Sequence, residues 1–278
     1  MLGDALYKLA RKLLPISFYR SLSRSVLGRE KRWKRIETYV ATFEFYRGQG
    51  MDFAGRKVAE VGSGDQYYTA LFFLSAGAEQ VLLVEPTLAP DAEKLAAELQ
   101  RFNEHTSTGL RLEDVKGRIL CFRDLSEINP SLESQVDFFF SYLVLEHFRD
   151  IESFFLHTKR VLKTSGISCN LVDLSDHTYH LLVKYRFLRP FAERRLLYHL
   201  RYSDRMFDLV NDPKCYMNRK LLPEYLGLAS KYNLRIAQLS KKTDEGAVVH
   251  PDLLRRYSSA DPNDLKVVNF FLGLEKTE

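Results

Sequence analysis

The chain has 278 residues, 45% of them hydrophobic and 28% charged, which suits one large folded domain with additions and is too apolar for a disordered chain. Its three cysteines, Cys121, Cys169 and Cys215, are far apart and form no C-x-x-C pair, so neither a disulfide framework nor a zinc site is indicated and a reducing cytoplasm is the expected compartment. No apolar run reaches the roughly 18 residues of a membrane span, and the start MLGDALYKLARKLLP carries Asp4 and basic residues inside its apolar pattern, unlike a signal peptide.

The net charge of +5 is unevenly placed. Residues 1–36 hold ten Lys or Arg against Asp4 and Glu30, a net +8 that leaves −3 for the remainder. Leu2, Leu6, Leu9 and Leu13 recur at helical spacing beside Lys8, Arg11 and Lys12 until Pro15 stops the pattern. This predicts a short amphipathic helix that either packs on the body or touches an anionic membrane surface at the inner face. A second helical pattern, Trp33, Ile36, Val40 and Phe43, runs into GQGMDFAGR, where Gly48, Gly50 and Gly55 break the periodicity. The expected boundary falls there, between a basic helical arm over 1–50 and a domain over 51–278.

Beyond Lys57, short apolar runs alternate with helical patterns. KVAEV (57–61), QVLLVE (80–85), RILCF (118–122), VDFFFS (136–141) and GISCNLV (166–172) read as strands, with helices over 67–76, 91–104, 151–163 and 219–231. Strands separated by helices predict an α/β fold, doubly wound around a parallel sheet, whose ligands bind beyond the carboxyl ends of the strands. The stretch VAEVGSGDQYYT (58–69) lies at such an end. Gly62 and Gly64 let the loop pass under a ligand without a Cβ in the way. A dinucleotide fingerprint would carry a third glycine where this chain has Tyr67. Glu60 stands two residues before Gly62, where a carboxylate repels a pyrophosphate and attracts an ammonium or sulfonium. Glu85 ends the second strand 23 positions after Gly62, the usual distance for an acid that binds a ribose diol.

With these features, EVGSGD (60–65), Glu85, Asp124 in FRDL, the block Leu145-Glu146-His147 and the run RVLK (160–163) closed by Gly166, the chain resembles the class I S-adenosylmethionine-dependent methyltransferases, of the small-molecule and glycan type. Gln66 stands where the family often has a third glycine, and Thr164 and Ser165 replace its usual proline and first glycine. The resemblance covers about residues 55–175 well and the last hundred loosely. It implies a Rossmann-like seven-stranded sheet whose last strand, KVVNFFLGLEK (266–276), is inserted antiparallel after LRIAQLS (234–240). It also implies S-adenosyl-L-methionine as cofactor, held by Glu60, Gly62, Ser63, Gly64, Glu85, Asp124, Leu125 and Ser141. Purely structural roles stay open for the acids, as a turn cap at Glu60 or a strand end at Glu85, and His147 could simply cap its helix.

The acceptor side rests on less. Asp173, Asp176, His177 and His180 cluster in LVDLSDHTYH (171–180) after the fifth strand. His177, with His147 as the other candidate, is the expected base if the acceptor is a hydroxyl, because an unperturbed imidazole titrates near pH 6.5. His180, Asn218 and Arg219 are the expected acceptor contacts. A metal at the His/Asp cluster is conceivable, but capping and acid–base roles explain the same residues, and none is expected. The insertion at about 178–215 interleaves seven basic residues of 184–207 with aromatics, a lid suited to an anionic or sugar-bearing acceptor. The expected activity is methyl transfer to a small-molecule, hydroxyl-bearing glycan or lipid-linked acceptor. The alternatives are RNA methylation, which the missing Asn-Pro-Pro-aromatic motif disfavours, and a non-catalytic cofactor-binding adaptor at a membrane surface, which the intact acids disfavour. Oligomeric state is not readable from the sequence.

Overall fold

The computed structural model describes residues 36–128, 130–176, 196–211, 213 and 216–277. The leucine pattern of residues 1–15, Trp33, and the candidates His177 and His180 lie outside them.

Helix α1 (Ile36–Arg47) buries Tyr39, Phe43 and Tyr46. Their spacing of four and three is a helical stripe on the same face as the Ile36/Val40/Phe43 pattern read from the sequence, with Ile36 and Val40 partly buried against the same core. Phe43 stacks on Phe72 at 5.2 Å between ring centroids, and Tyr46 lies 4.2 Å from Phe140. Each buried aromatic contributes roughly 1.5–3 kcal/mol by area. The helix therefore belongs to the domain core, and the glycine-rich 48–56 stretch is a turn within it rather than a boundary: Gly50 and Gly55 take left-handed φ of 77° and 67°, and the Gly55 amide donates to the Gly77 carbonyl at 2.9 Å.

Strands β1 (Lys57–Val61), β2 (Gln80–Val84), β3 (Ile119–Phe122), β4 (Val136–Tyr142), β5 (Leu162–Asp173), β6 (Leu234–Thr243) and β7 (Val267–Lys276) form one seven-stranded sheet. Their order is β3-β2-β1-β4-β5-β7-β6; β1 to β5 run parallel, and β7 enters antiparallel between β5 and β6. The strand order reverses between β1 and β4. Alternate residues feed opposite faces: Leu82 and Phe139 join a core with Phe154, Tyr225 and Leu272, whereas Leu83 and Phe140 join one with Tyr46, Phe73 and Phe102. Helices α2 (Tyr68–Ser75), α3 (Ala92–Thr106), α4 (Leu112–Val115), α5 (Ile151–Val161) and α7 (Leu222–Lys231) complete the two layers, with α6 (Asp204–Val210) and α8 (Pro251–Arg256) in later additions. This is the expected Rossmann-like, doubly wound fold.

Two boundaries differ from the sequence reading. Helix α5 ends at Val161, and Leu162 already pairs with Val136. Gly166 serves a bulge in β5 rather than a helix end, since a Cβ there would lie 2.8 Å from the Lys163 carbonyl and 3.1 Å from that of Val136. Helix α7 starts at Leu222, with Pro223 in its first turn, not at residue 219. At the outer edge, β6 is exposed from Arg235 to Lys242 and is bulged between Ile236 and Gln238 and between Lys242 and Thr243.

Candidate cofactor and acceptor site

Glu60 is the fourth residue of β1, paired with Leu83 on one side and Phe140 on the other. The alternation of the strand points it into the aromatic layer under α1, and it is 3% exposed. The Tyr46 hydroxyl donates to Oε1 at 3.3 Å, while Oε2 is buried without a hydrogen-bond partner. Burial, aided by the Glu85 charge, raises the carboxyl pKa to about 8, against hydrogen bonds from Thr69 and Tyr46 that pull it down. The same burial, with the nearby Glu60, raises the Tyr46 phenol well above its ordinary value.

The loop after Glu60 shows why its glycines are there. Gly62 has φ 79°, and a Cβ on it would meet Val144 Cγ2 at 2.2 Å. The chain beyond β4 is thus pressed against the glycine loop by a valine side chain, and no side chain fits between them. Gly64 has φ 71°, with the Tyr39 hydroxyl 3.4 Å from where its Cβ would stand. Ser63 between them is buried at 4% exposure. Tyr67, in place of the third glycine, fills its space with a ring whose hydroxyl donates to the Ala89 carbonyl and accepts from the Asp91 amide, both at 3.0 Å. The Tyr67 amide donates to buried Glu98 at 2.7 Å, so a carboxylate from α3 already occupies part of the α2 amino terminus where a phosphate would otherwise sit.

The remaining cofactor candidates follow β2 and β3 or lie in β4. Glu85 follows β2 directly, and its Oε1 accepts from Thr87 twice, from the amide at 3.0 Å and the hydroxyl at 2.6 Å. Asp124, two residues beyond β3, accepts from the Ser126 amide at 2.8 Å, and the Ser126 hydrogen bonds hold its pKa below the usual carboxylate range. Leu125 is buried in the core and Ser141 is fully buried, its hydroxyl donating to Asn170 Oδ1 at 2.8 Å. Any contact of Leu125 with a ligand therefore falls to its backbone, and the Ser141 side chain is engaged in joining β4 to β5.

On the acceptor side, the short 3₁₀ turn Leu145–His147 follows β4. The His147 Nδ1 stands 2.7 Å from the Tyr216 carbonyl. A carbonyl only accepts, so Nδ1 carries the hydrogen and the lone pair of the neutral ring is on Nε2. Glu146 beside it is 2% exposed, and burial, reinforced by the Asp173 charge, raises its pKa to about 8. Asn218 does not point away from this turn: its Nδ2 donates to the Leu145 and Phe148 carbonyls at 2.7 and 3.1 Å, and its amide to the Glu146 carbonyl at 2.8 Å. Arg219, with φ 54°, is 4% exposed; its guanidinium lies 4.7 Å from the Phe207 ring centre and donates to Tyr202, Ser203 and Asp204. Burial lowers its pKa to about 10 against the pull of Asp204. The two residues expected to face the acceptor thus fasten, respectively, the turn after β4 and the later insertion. Asp173 accepts from the Ser175 amide at 2.8 Å, and Asp176 is buried, its amide donating to the Leu196 carbonyl at 2.6 Å. Among the described residues no group of three or more His, Cys, Asp or Glu could hold a metal ion, and no helix is long and apolar enough to cross a membrane.

Sequence reasoning missed the two tyrosines of α1. Their signal was tyrosine rather than phenylalanine at two positions of one buried stripe.

Residues 59–169 match the family described as Methyltransferase domain. No curated protein matches the sequence significantly. The fold is similar to Haemonchus contortus phosphoethanolamine N-methyltransferase 2, solved with phosphomonomethylethanolamine and S-adenosylhomocysteine, at 15% identity, over 95% of this chain and 61% of that one, with TM-score 0.51. An S-adenosylmethionine-dependent methyltransferase from Mesorhizobium loti is similar at 11% identity, over 84% and 96% of the two chains, with TM-score 0.48. The match takes in the glycine loop, the acid after β2 and the turn after β4, so residues 59–169 carry a methyltransferase domain.

Proposed function

We propose that this methyltransferase acts on a hydroxyl-bearing small molecule, of glycan or lipid-linked type, and that a histidine at the rim takes the acceptor proton. The residues present fit the cofactor: a buried carboxylate oxygen without a partner beside two left-handed glycines, and an acid at the end of β2 whose two hydrogen bonds from Thr87 fall on one oxygen. Glu60 would hold its ammonium, Glu85 the ribose hydroxyls, and Asp124 with the Leu125 backbone the adenine side. When bound, S-adenosylmethionine supplies a methyl group on a sulfonium, ready for in-line displacement.

The observation that carries the acid–base part is the 2.7 Å contact from His147 Nδ1 to the Tyr216 carbonyl. It fixes the tautomer with the lone pair on Nε2, which supports that nitrogen as the base and would stabilise the imidazolium formed when it takes a proton. His177 is the second candidate base, with His180 beside it as an acceptor contact, and Asp173 or Asp176 could orient it. RNA methylation and a membrane-surface adaptor are the alternative readings; contact of the arm with an anionic membrane is tested by sedimentation of the full chain and of a chain lacking residues 1–15 with anionic vesicles.

The decisive experiment supplies labelled cofactor to fractionated glycan, lipid and RNA pools, with mass identification of the product. Label in a glycan or lipid-linked fraction is expected, and label in RNA alone would overturn the reading. With the acceptor in hand, replacing the true base by Asn lowers turnover about 100-fold or more, with cofactor affinity within a factor of a few. Full turnover in both His147→Asn and His177→Asn would show that the acceptor needs neither.

A further inference from the structure

Glu60 is an unusual place for a charge. It is 3% exposed, flanked in the sheet by Leu83 and Phe140, and roofed by the Tyr46 ring. The groups that face it are Tyr46 and Tyr39 from α1, Thr69 from α2 and Glu85 from the end of β2. Asp65 in the glycine loop and Glu98 from α3 act on Tyr39, and Cys169 from β5 and Tyr142 from β4 act on Tyr46. Each of these is neutral or acidic. Among the described residues no Lys, Arg or His is paired with Glu60, and its Oε2 is buried with no group at hydrogen-bonding geometry. A bare carboxylate in such a place costs far more than a neutral acid.

We propose that Tyr46 and Glu60 form a proton-holding pair that couples cofactor binding to proton release. In the empty protein Glu60 is a neutral acid, with Oε1 accepting from the Tyr46 hydroxyl and the proton on Oε2. When the ammonium group of the cofactor arrives at Oε2, that proton leaves to solvent, the carboxylate forms, and Tyr46 strengthens its hydrogen bond to the new anion. Helix α1 is then a working wall of the cofactor site, and Tyr46 a positioning residue acting through Glu60. The inference rests on assigning Glu60 to the ammonium.

The test is calorimetric titration of the full chain with S-adenosylhomocysteine in pairs of buffers of different ionisation enthalpy, from pH 6.0 to 9.0. Close to one proton should be released for each molecule bound at pH 6 to 7, and the dissociation constant should fall about tenfold across that unit. Glu60→Gln should bind more weakly, release no proton and lose the pH dependence. Tyr46→Phe should bind about tenfold more weakly at pH 6.5, with the deficit shrinking by pH 9, where Glu60 is ionised before binding; a merely structural role for Tyr46 would give the same deficit at every pH. If the wild type releases no proton while Glu60→Gln binds weakly, the ammonium assignment stands and the coupling is wrong. If Glu60→Gln binds as well as the wild type, both fall.

Discussion

Glu146 shows how costly one residue at this rim is. Like Glu60 it is buried, one carboxylate oxygen has no partner, and its pKa is raised to about 8, first by burial and then by Asp173. An acid whose pKa is higher folded than unfolded binds protons more tightly in the native state. Its contribution to stability is therefore complete below the unfolded value near 4.3 and is lost as pH rises through about 8. Each pH unit inside that window costs about 1.4 kcal/mol for a fully shifted group. Thermal unfolding of the cofactor-free protein should show a melting temperature that declines from pH 5 to pH 8. Glu146→Gln, which keeps the shape and removes the titration, should flatten that decline and melt higher than the wild type at pH 8. Equal slopes in the two proteins would mean that Glu146 is solvated or paired in solution.

At the level of elements, the segment 216–219 is the fastening between the turn after β4 and the insertion. Tyr216 receives His147, Asn218 closes on the Leu145, Glu146 and Phe148 carbonyls, and Arg219 reaches back to 202–204. Asn218→Ala removes the side-chain bonds to the Leu145 and Phe148 carbonyls and the one accepted from the Lys220 amide, and should cost about 1–3 kcal/mol in denaturant unfolding. Hydrogen exchange of residues 144–148 should quicken while the amides of β1 keep their protection. Uniform protection in the variant would show that Tyr216 and the backbone suffice. This fastening was only half legible in the sequence. The polar pair Asn218-Arg219 drew attention, but a lone arginine reads as a surface or ligand-binding group, and its burial over Phe207 depends on a partner in a separate insertion. Strands β1, β2 and β4 were read within a residue or so, because parallel strands buried on both faces are near-continuous apolar runs. The core-facing stripe of helix α1 was legible from Ile36, Val40 and Phe43, but Tyr39 and Tyr46 on the same face were not, since tyrosine counts as half polar until its hydroxyl has a partner. RVLK ran on as a helix in the sequence reading because nothing local announces that Leu162 will pair with Val136.

Over the whole molecule, the strand order reverses between β1 and β4, so Glu60, Gly62, Glu85 and the turn after β4 all lie at the carboxyl ends of neighbouring inner strands, the place where sheets of this kind bind ligands. The later additions are joined to each other as much as to the sheet. The Arg256 guanidinium donates to Asp204, the His250 amide to the Leu200 carbonyl at 2.8 Å, and Leu197, Leu200, Leu221, Leu253 and Leu265 share one small core. Pairings between positions some fifty residues apart leave no periodic trace, so this part of the fold was not legible.

The bulged outer strand β6 bears on how the protein behaves in concentrated solution. A sheet edge ten residues long, with Ile236 and Leu239 more than a third exposed, offers a template on which the edge of another molecule can pair. The two bulges interrupt the even row of backbone donors and acceptors, and Lys241 and Lys242 place charge where a neighbouring strand would have to dock. At the opposite edge β3 is only four residues long. The two edges of the sheet thus differ in what would keep another strand from pairing on them: length at β3, and bulges and charge at β6. Replacing Lys241 and Lys242 together by Val should make concentrated solutions scatter light increasingly with time at unchanged cofactor affinity. Scattering that stays at the wild-type level would leave the bulges as a sufficient guard, with Lys241 needed only for its ion pair to Asp264.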